Sequence, residues 1–447
     1  MKLNTVIERE KKFTHEGAVA YQYADAPQDL QRSVMACLLW EDTFYESGVS
    51  IADRIASLVP AVTPETVSLM AIEAREKMKL RHVPLLLACE MAKHKTHQPF
   101  VAKTVERIIQ RADELAEILS IYSRDRKGTK KLNKLSHQMQ KGIAAAFRKF
   151  NEYSLAKYNR DGAVKLRDVL FLCHAKPKDE DQAELWKRLI KGKLTTPDTW
   201  EVGLSATKGE GKREEWERLL REDKLGALAL IRNLRNMKET GVSKSLIRKA
   251  LSEIKTERVL PFRFVAAAKY APNWEPELEK AMFKCLEDAE KLGGKTVIVV
   301  DNSGSMHGTP VSKRSEMDRA DAACALAILV REVCEDVAVI GFGSEAKLIP
   351  ARRGFALRDA IQGGPGGGTN TDHALALAQA EGYDRIIVIT DEQSHQAIRN
   401  PSYNGQNKRG YFVNVASYQN GIGYGPWIHI DGWSEAILEY VRASEAQ

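Results

Sequence analysis

The stretch Thr296 to Met306, TVIVVDNSGSM, holds the densest set of residues able to do chemistry. Its β-branched run, Thr296 to Val300, suits a strand buried on both faces of a parallel sheet. The run ends in Asp301, and hydroxyls follow at Ser303 and Ser305. One carboxylate and two hydroxyls at alternate positions past a strand end form an oxygen-only donor set. Such a set suits a hard divalent cation such as Mg²⁺. Taken alone, the same residues also suit a Ser/Asp-rich turn. A nucleophilic serine is not supported, because Ser303 lacks the G-x-S-x-G elbow and nothing nearby nominates a catalytic histidine.

Two later segments extend the pattern. Gly366 to Asp372, GGGTNTD, is a glycine-rich loop, and Arg385 to Asp391, RIIVITD, is a second apolar strand ending in Thr-Asp. D-x-S-x-S, the G-G-T loop and the T-D strand end, in that order, resemble the metal-ion-dependent adhesion site of von Willebrand factor A (VWA) domains. The resemblance implies that Ser303, Ser305 and Thr369 offer hydroxyls, and that Asp301 and Asp391 act mainly through bound waters. The implied cofactor is a divalent cation, Mg²⁺. Neutral hydroxyls leave such an ion short of negative charge, so an anionic sixth ligand is expected, from an acidic protein partner or a phosphate oxygen. The site is therefore expected to recognise and not to catalyse: the motif contains no general base, and one cation with hydroxyl ligands fits a two-metal nuclease poorly. Gly363 to Gly368, GGPGGG, lets backbone approach an ion closely. It lacks the G-K-[ST] signature of a phosphate-cradling P-loop.

The elements that must position these loops follow an α/β pattern. Residues 337–342, 385–390 and 411–416 read as strands, and 315–335, 372–381 and 433–442 carry helices. Alternation of this kind implies a doubly wound parallel sheet with ligands outside the strands' carboxyl ends. Before residue 290 the pattern is helical. Residues 29–40 form one segment, and Thr63-Pro64-Glu65 starts another, with Thr63 as N-cap. Residues 104–122 carry one continuous apolar stripe. Leu225, Leu228, Ile231 and Leu234 make a later stripe, ended by Gly241 as C-cap, and Ser243 caps the next helix. Many amphipathic helices with short connections point to an α-solenoid of helix pairs or a compact bundle. Two domains are expected, 1–290 and 291–447.

At 447 residues the chain can build two or three full cores, and 43% hydrophobic with 28% charged residues is a globular balance. No apolar run approaches the ~20 residues of a membrane span. The start, MKLNTVIEREKKF, is too charged for a secretory signal. The six cysteines are scattered with no C-x-x-C pair, which points to free thiols in a reducing compartment and a cytoplasmic protein. The first 290 residues carry net +10 (52 basic, 42 acidic) and the remainder net −3 (15 basic, 18 acidic). Basic surface segregated to one domain is the electrostatic footprint of a nucleic-acid binder.

The basic residues concentrate between Arg124 and Lys149, including Lys130, Lys131 and Lys134, and continue through Lys157-Tyr158-Asn159-Arg160, Arg167 and His174-Ala175-Lys176. A solvated helix face is the ordinary meaning of a charge run. Here the excess has one sign, and Tyr158 and His174 add planes for stacking or hydrogen bonding. Phe13 to Gly17 and Leu30 to Glu41 resemble the opening of the TROVE module of the Ro autoantigen family. Lys157-Tyr158, Arg167-Asp168-Val169-Leu170 and His174-Ala175-Lys176-Pro177 resemble that family's K-Y, K/R-D-L-L and H-x-K-P stretch. Thr199-Trp200-Glu201 and Ile231 to Met237 resemble its T-W-E and L-R-N-L motifs.

With the VWA resemblance following, nearly the whole chain is covered in order. This implies a ring of HEAT-like helical repeats, closed by the VWA domain. It implies Y-like RNA on the outer surface, with Lys157 and His174 at matching positions and Tyr158, Arg160, Arg167 and Lys176 beside them. It implies single-stranded 3′ ends of misfolded non-coding RNA in the central hole, where Arg232 and Arg235, three apart and so on one helix face, are candidate lining. An exoribonuclease partner acting through the RNA is also implied. The leading expectation is a non-enzymatic RNA-binding ring. The rival is a VWA-type protein-binding scaffold without RNA function.

Overall fold

The computed structural model describes residues 12–13, 19–20, 26–36, 48–123, 135–159, 162, 164–256, 259, 261–308, 310–311, 317–394, 409–416, 422, 427–431 and 436–445. Up to Leu286 the regular elements among these residues are helices, apart from a short antiparallel pairing of Lys12–Phe13 with Val19–Ala20. Ala26–Ala36 forms the first helix. Thr63 caps Pro64–Glu76 as the T-P-E spelling predicts, its hydroxyl accepting the Thr66 N–H at 3.4 Å. Helices then stack on their neighbours: Gln98–Ile108 lies against both Pro64–Glu76 and His137–Phe147.

Two predicted stripes are broken. The apolar run 104–122 belongs to two helices, Gln98–Ile108 and Glu114–Tyr122. The break is held by Glu114, which is fully buried. Its carboxylate accepts the N–H groups of Gln110 (2.8 Å) and Arg111 (3.0 Å), freed where the first helix ends. Arg75, itself buried, balances the charge at 2.6 Å. The later stripe is divided at Asn233 into Ala227–Arg232 and Leu234–Glu239, and Leu228 is 39% exposed. Gly241 does end the second helix, at φ +76°. Ser243 heads Lys244–Ser252, but its hydroxyl bonds Ser245 instead of the helix backbone.

From Leu292 the chain builds a six-stranded sheet. Its strands are β1 (Leu292–Asp301), β2 (Cys334–Phe342), β3 (Ala346–Leu348), β4 (Arg385–Thr390), β5 (Arg409–Asn414) and β6 (Ile428–Asp431). The spatial order is β3-β2-β1-β4-β5-β6, parallel throughout except for the β2–β3 pair. The short strands β3 and β6 and the helix Gly354–Gln362 are too brief or too mixed in composition to be visible in the sequence. Chain direction across the sheet reverses at β1, whose neighbours are β2 on one side and β4 on the other. The crevice at their carboxyl ends is a topological switch point.

The alanine-rich helix Arg319–Glu332 is buried on nearly every side. It is sandwiched between the sheet and the helices Phe262–Tyr270 and Glu275–Leu286, which is why it lacks a polar face. One apolar core runs from Trp216 through Met282 into Ile298, Val300 and Val441. A second runs from Leu30 to Leu189, and a third lies on the other side of the sheet. The change in pattern near residue 290 thus falls inside a continuous core. The first helix, Ala26–Ala36, meets the edge strand β6. No described helix is long and apolar enough to cross a membrane.

Candidate metal centre and nucleic-acid surface

Asp301 and Asp391 emerge from adjacent parallel strands, β1 and β4, with Val300 in register with Ile389. Both carboxylates are buried, at 1% and 0% exposure. Hydrogen bonds join every pair of loops. Thr390 donates its hydroxyl to Asp301 Oδ2 at 2.6 Å, Gly304 N–H reaches the Gly367 carbonyl at 2.8 Å, and Ser394 donates to the Thr369 carbonyl at 3.4 Å. Asp301 Oδ1 accepts the Ser303 N–H at 2.8 Å, and the hydroxyls of Ser303 and Ser305 lie 3.3 Å apart. The glycine loop can come this close because of Gly343. A Cβ there would stand 2.4 Å from the Gly366 carbonyl oxygen.

The structure therefore brings Asp301, Ser303, Ser305 and Asp391 into one crevice, with the Thr369 loop stitched to its rim. Sequence reasoning missed Thr390, although the T-D spelling contains it, and Arg319, whose contact spans distant segments. Burial, and then the neighbouring Asp391, push the Asp301 carboxyl up to about 7, opposed by the bonds from Thr390 and Ser303. Two buried carboxylates side by side, faced with hydroxyls, fit a hard divalent cation. Asp301, Ser303, Ser305, Thr369 and Asp391 are the residues that would hold it. Such an ion would supply Lewis acidity toward an anionic ligand.

The basic surface is built differently. Lys157 lies on the short helix Glu152–Tyr158, capped by Asn151. Its ammonium stands 6.0 Å from the Tyr153 ring and 5.9 Å from the Tyr158 ring. Arg111 covers Tyr158 at 4.8 Å, so this tyrosine is already stacked within the protein. Tyr153 is 51% exposed and is the open ring. Lys157 also lines an open cleft of about 700 Å³ with Asn159, Thr195 and Glu201.

Arg167, His174 and Lys176 are exposed at the two ends of Leu166–Leu172. The helix closes in a Schellman arrangement: His174 N–H reaches the Phe171 carbonyl, and Ala175 N–H the Leu170 carbonyl. His174 fills the left-handed position at φ +52°, where glycine is usual. Arg148 donates to the Lys176 carbonyl at 2.8 Å, fixing the following turn.

The basic run contains fewer free cations than its spelling suggests. The Lys149 ammonium bonds the carbonyls of Glu106 and Ile109 at a helix terminus, and burial pushes its pKa down. Arg232 and Arg235 are exposed, in consecutive helices divided at Asn233. Asn233 is buried and bonds the Ala229 carbonyl at 2.8 Å. The T-W-E motif is structural here. Thr199 caps its helix, and Trp200 stacks on Trp216 at 6.0 Å between ring centres. Lys130, Lys131, Lys134 and Arg160 lie outside the described residues.

A helical-repeat region sharing a core with a VWA-like sheet, with a three-loop crevice at the switch point, defines the class. The TROVE domain matches residues 30–191 and 181–320, and the von Willebrand factor type A domain matches residues 296–393. The chain belongs to the TROVE-domain family. It is similar to telomerase protein component 1 of Mus musculus, 23% identical over 346 residues, which are 56% of this chain and 13% of that protein. The chain thus spans only 13% of the length of that curated relative. Its fold is similar to that of the Deinococcus radiodurans Ro (RSR) protein, with TM-score 0.60 and 17% identity, covering 91% of this chain and 96% of that one.

Proposed function

We propose that this protein is the RNA-binding ring of a ribonucleoprotein for RNA quality control or processing. Y-like RNA binds the outer helical surface through Lys157, Arg167, His174 and Lys176, joined by Arg160. Single-stranded 3′ ends of misfolded RNA enter a central hole. Helical residues to about 290 carry the RNA, and the remainder carries the metal centre. The meeting of the first helix, Ala26–Ala36, with β6 supports closure of the ring. An exoribonuclease would act on RNA presented in this way. The metal centre binds Mg²⁺ and offers it to an anionic oxygen of a partner.

The observation that carries the RNA reading is His174. It is exposed, held in a conformation that costs a non-glycine residue energy, and followed two residues later by the exposed Lys176, with Arg167 at the other end of the helix. A strained residue kept on a basic surface points to contact with a ligand. The test is binding of a structured RNA over a range of salt. Wild type should lose affinity steeply as salt rises, and Lys157→Glu with His174→Ala should bind more weakly with a shallower slope. Equal affinity and slope in the folded double variant would exclude this surface.

A further inference from the structure

The metal crevice already contains a cation. Arg319, the first residue of Arg319–Glu332, is 3% exposed. One guanidinium nitrogen lies 3.1 Å from Asp391 Oδ2 and 3.2 Å from the Ser305 carbonyl oxygen. It therefore ties the first metal loop to the third. The remaining Asp391 oxygen accepts the Gln393 N–H at 3.2 Å, so both carboxylate oxygens are engaged by the protein itself. A guanidinium does not release its proton in proteins, so its charge is permanent. The helix start that carries it is fixed independently. Asp318 and Asp321 form a reciprocal capping box, and Asp321 is in turn paired with Lys269.

We propose that Arg319 is a resident counter-cation of this centre, which keeps Asp391 and the metal loops assembled without metal and weakens binding of the divalent ion. The proposal rests on the metal reading above. Two ionised carboxylates alone would present charge −2 to an incoming ion, whereas with Arg319 they present −1. A like charge fixed beside the site repels the ion directly. Asp391 must also share its outer oxygen between the guanidinium and any water on the metal. The centre would then be preformed and weakly loaded, a state suited to reversible recognition.

Direct titration with Mn²⁺, followed by its electron paramagnetic resonance signal, tests this on the full chain. Arg319→Gln should bind Mn²⁺ at least about tenfold more tightly than wild type, as removal of a neighbouring like charge in a buried site requires. Arg319→Lys, which keeps the charge, should bind as weakly as wild type. In chelator, wild type should keep its thermal midpoint, while Arg319→Gln should melt earlier and recover with Mn²⁺. A folded Arg319→Gln that binds no more tightly than wild type would overturn the proposal and leave Arg319 as a positioning residue for Asp391. If Arg319→Gln does not fold, wild type decides: a large loss of thermal midpoint on chelation would overturn the proposal, and indifference to chelation supports it. Absence of Mn²⁺ binding in wild type, Arg319→Gln and Arg319→Lys alike would refute the metal reading itself, and the proposal with it.

Discussion

His174 stands where a helix terminus ordinarily takes glycine. Fold and binding should therefore respond to its replacement in opposite directions. His174→Gly is expected to stabilise the protein by about 0.5–1 kcal/mol, by relieving the left-handed strain. The same change should weaken RNA binding, by removing an imidazole from the basic surface. Denaturant unfolding and RNA titration on one preparation check both signs. At the proposed metal centre the relevant residue is Asp301, whose carboxyl is pushed up to about 7 by burial and by Asp391. In the unfolded chain this group releases its proton at an ordinary carboxyl pKa near 3.9, but in the metal-free fold it holds it to about 7. The fold binds more protons between those values, so this group's contribution to stability falls as pH rises through that window and is flat above it. Subtracting the pH profile of Asp301→Asn from that of wild type, in chelator, should expose the fall. Mg²⁺ should suppress it. Coincident profiles would show that Asp301 does not titrate in this way.

At the scale of elements, one buried charge shapes the N-terminal helices. Glu114 turns what reads as one long helix into two, by taking the backbone N–H groups left free at the break and pairing with Arg75. Glu114→Ala leaves Arg75 buried and unpaired and strips both backbone groups of their acceptor. A loss of about 3–5 kcal/mol is expected in denaturant unfolding. A change under 1 kcal/mol would mean that the break is held by packing alone. The loops of the proposed metal centre depend on a contact of the opposite kind, an absent side chain. Gly343→Ala would force the Gly366 backbone away, since a Cβ at Gly343 meets that carbonyl at 2.4 Å. Because Gly367 bonds Gly304, this displacement should pass to the Ser303–Ser305 loop. Mn²⁺ affinity should fall although no proposed ligand has changed.

For the molecule as a whole, the continuous core is the decisive feature. Arg319–Glu332 is covered by the sheet on one side and by the helices Phe262–Tyr270 and Glu275–Leu286 on the other. A fragment of residues 291–447 would expose that apolar helix to water. It should be less stable than the same segment within the full chain and prone to associate. A fragment that stays monomeric and melts at the temperature of the full chain would show that the shared core contributes little. The proposed ring makes a separate prediction. A duplex RNA with a single-stranded 3′ tail should compete for binding better than the same duplex with blunt ends, because only a single strand can thread a narrow hole. Equal competition would remove the central hole from the functional reading while leaving the outer surface untouched.

The three loops of the proposed metal centre and the α/β order were legible in the sequence because their signals are local. Apolar β-branched runs end in oxygen donors, glycines permit the close loop, and helices separate the strands. The cap at Thr63 and the C-terminal glycine at 241 were legible for the same reason: each depends on a few adjacent residues. Tertiary structure decided whatever depends on partners distant in the chain. The periodicity of residues 104–122 continues across a helix break because both helices bury the same stripe, and only the Arg75–Glu114 pair reveals the division. Charge counts could not show that Lys149 is occupied by helix carbonyls or that Tyr158 is covered by Arg111. The stripe Leu225 to Leu234 reads as one helix, but the buried Asn233 divides it between two. Arg319 reads as one more surface cation until the fold brings it to Asp391, 72 residues away. Sequence fixes which groups are available, and burial and long-range pairing determine which of them remain free to act.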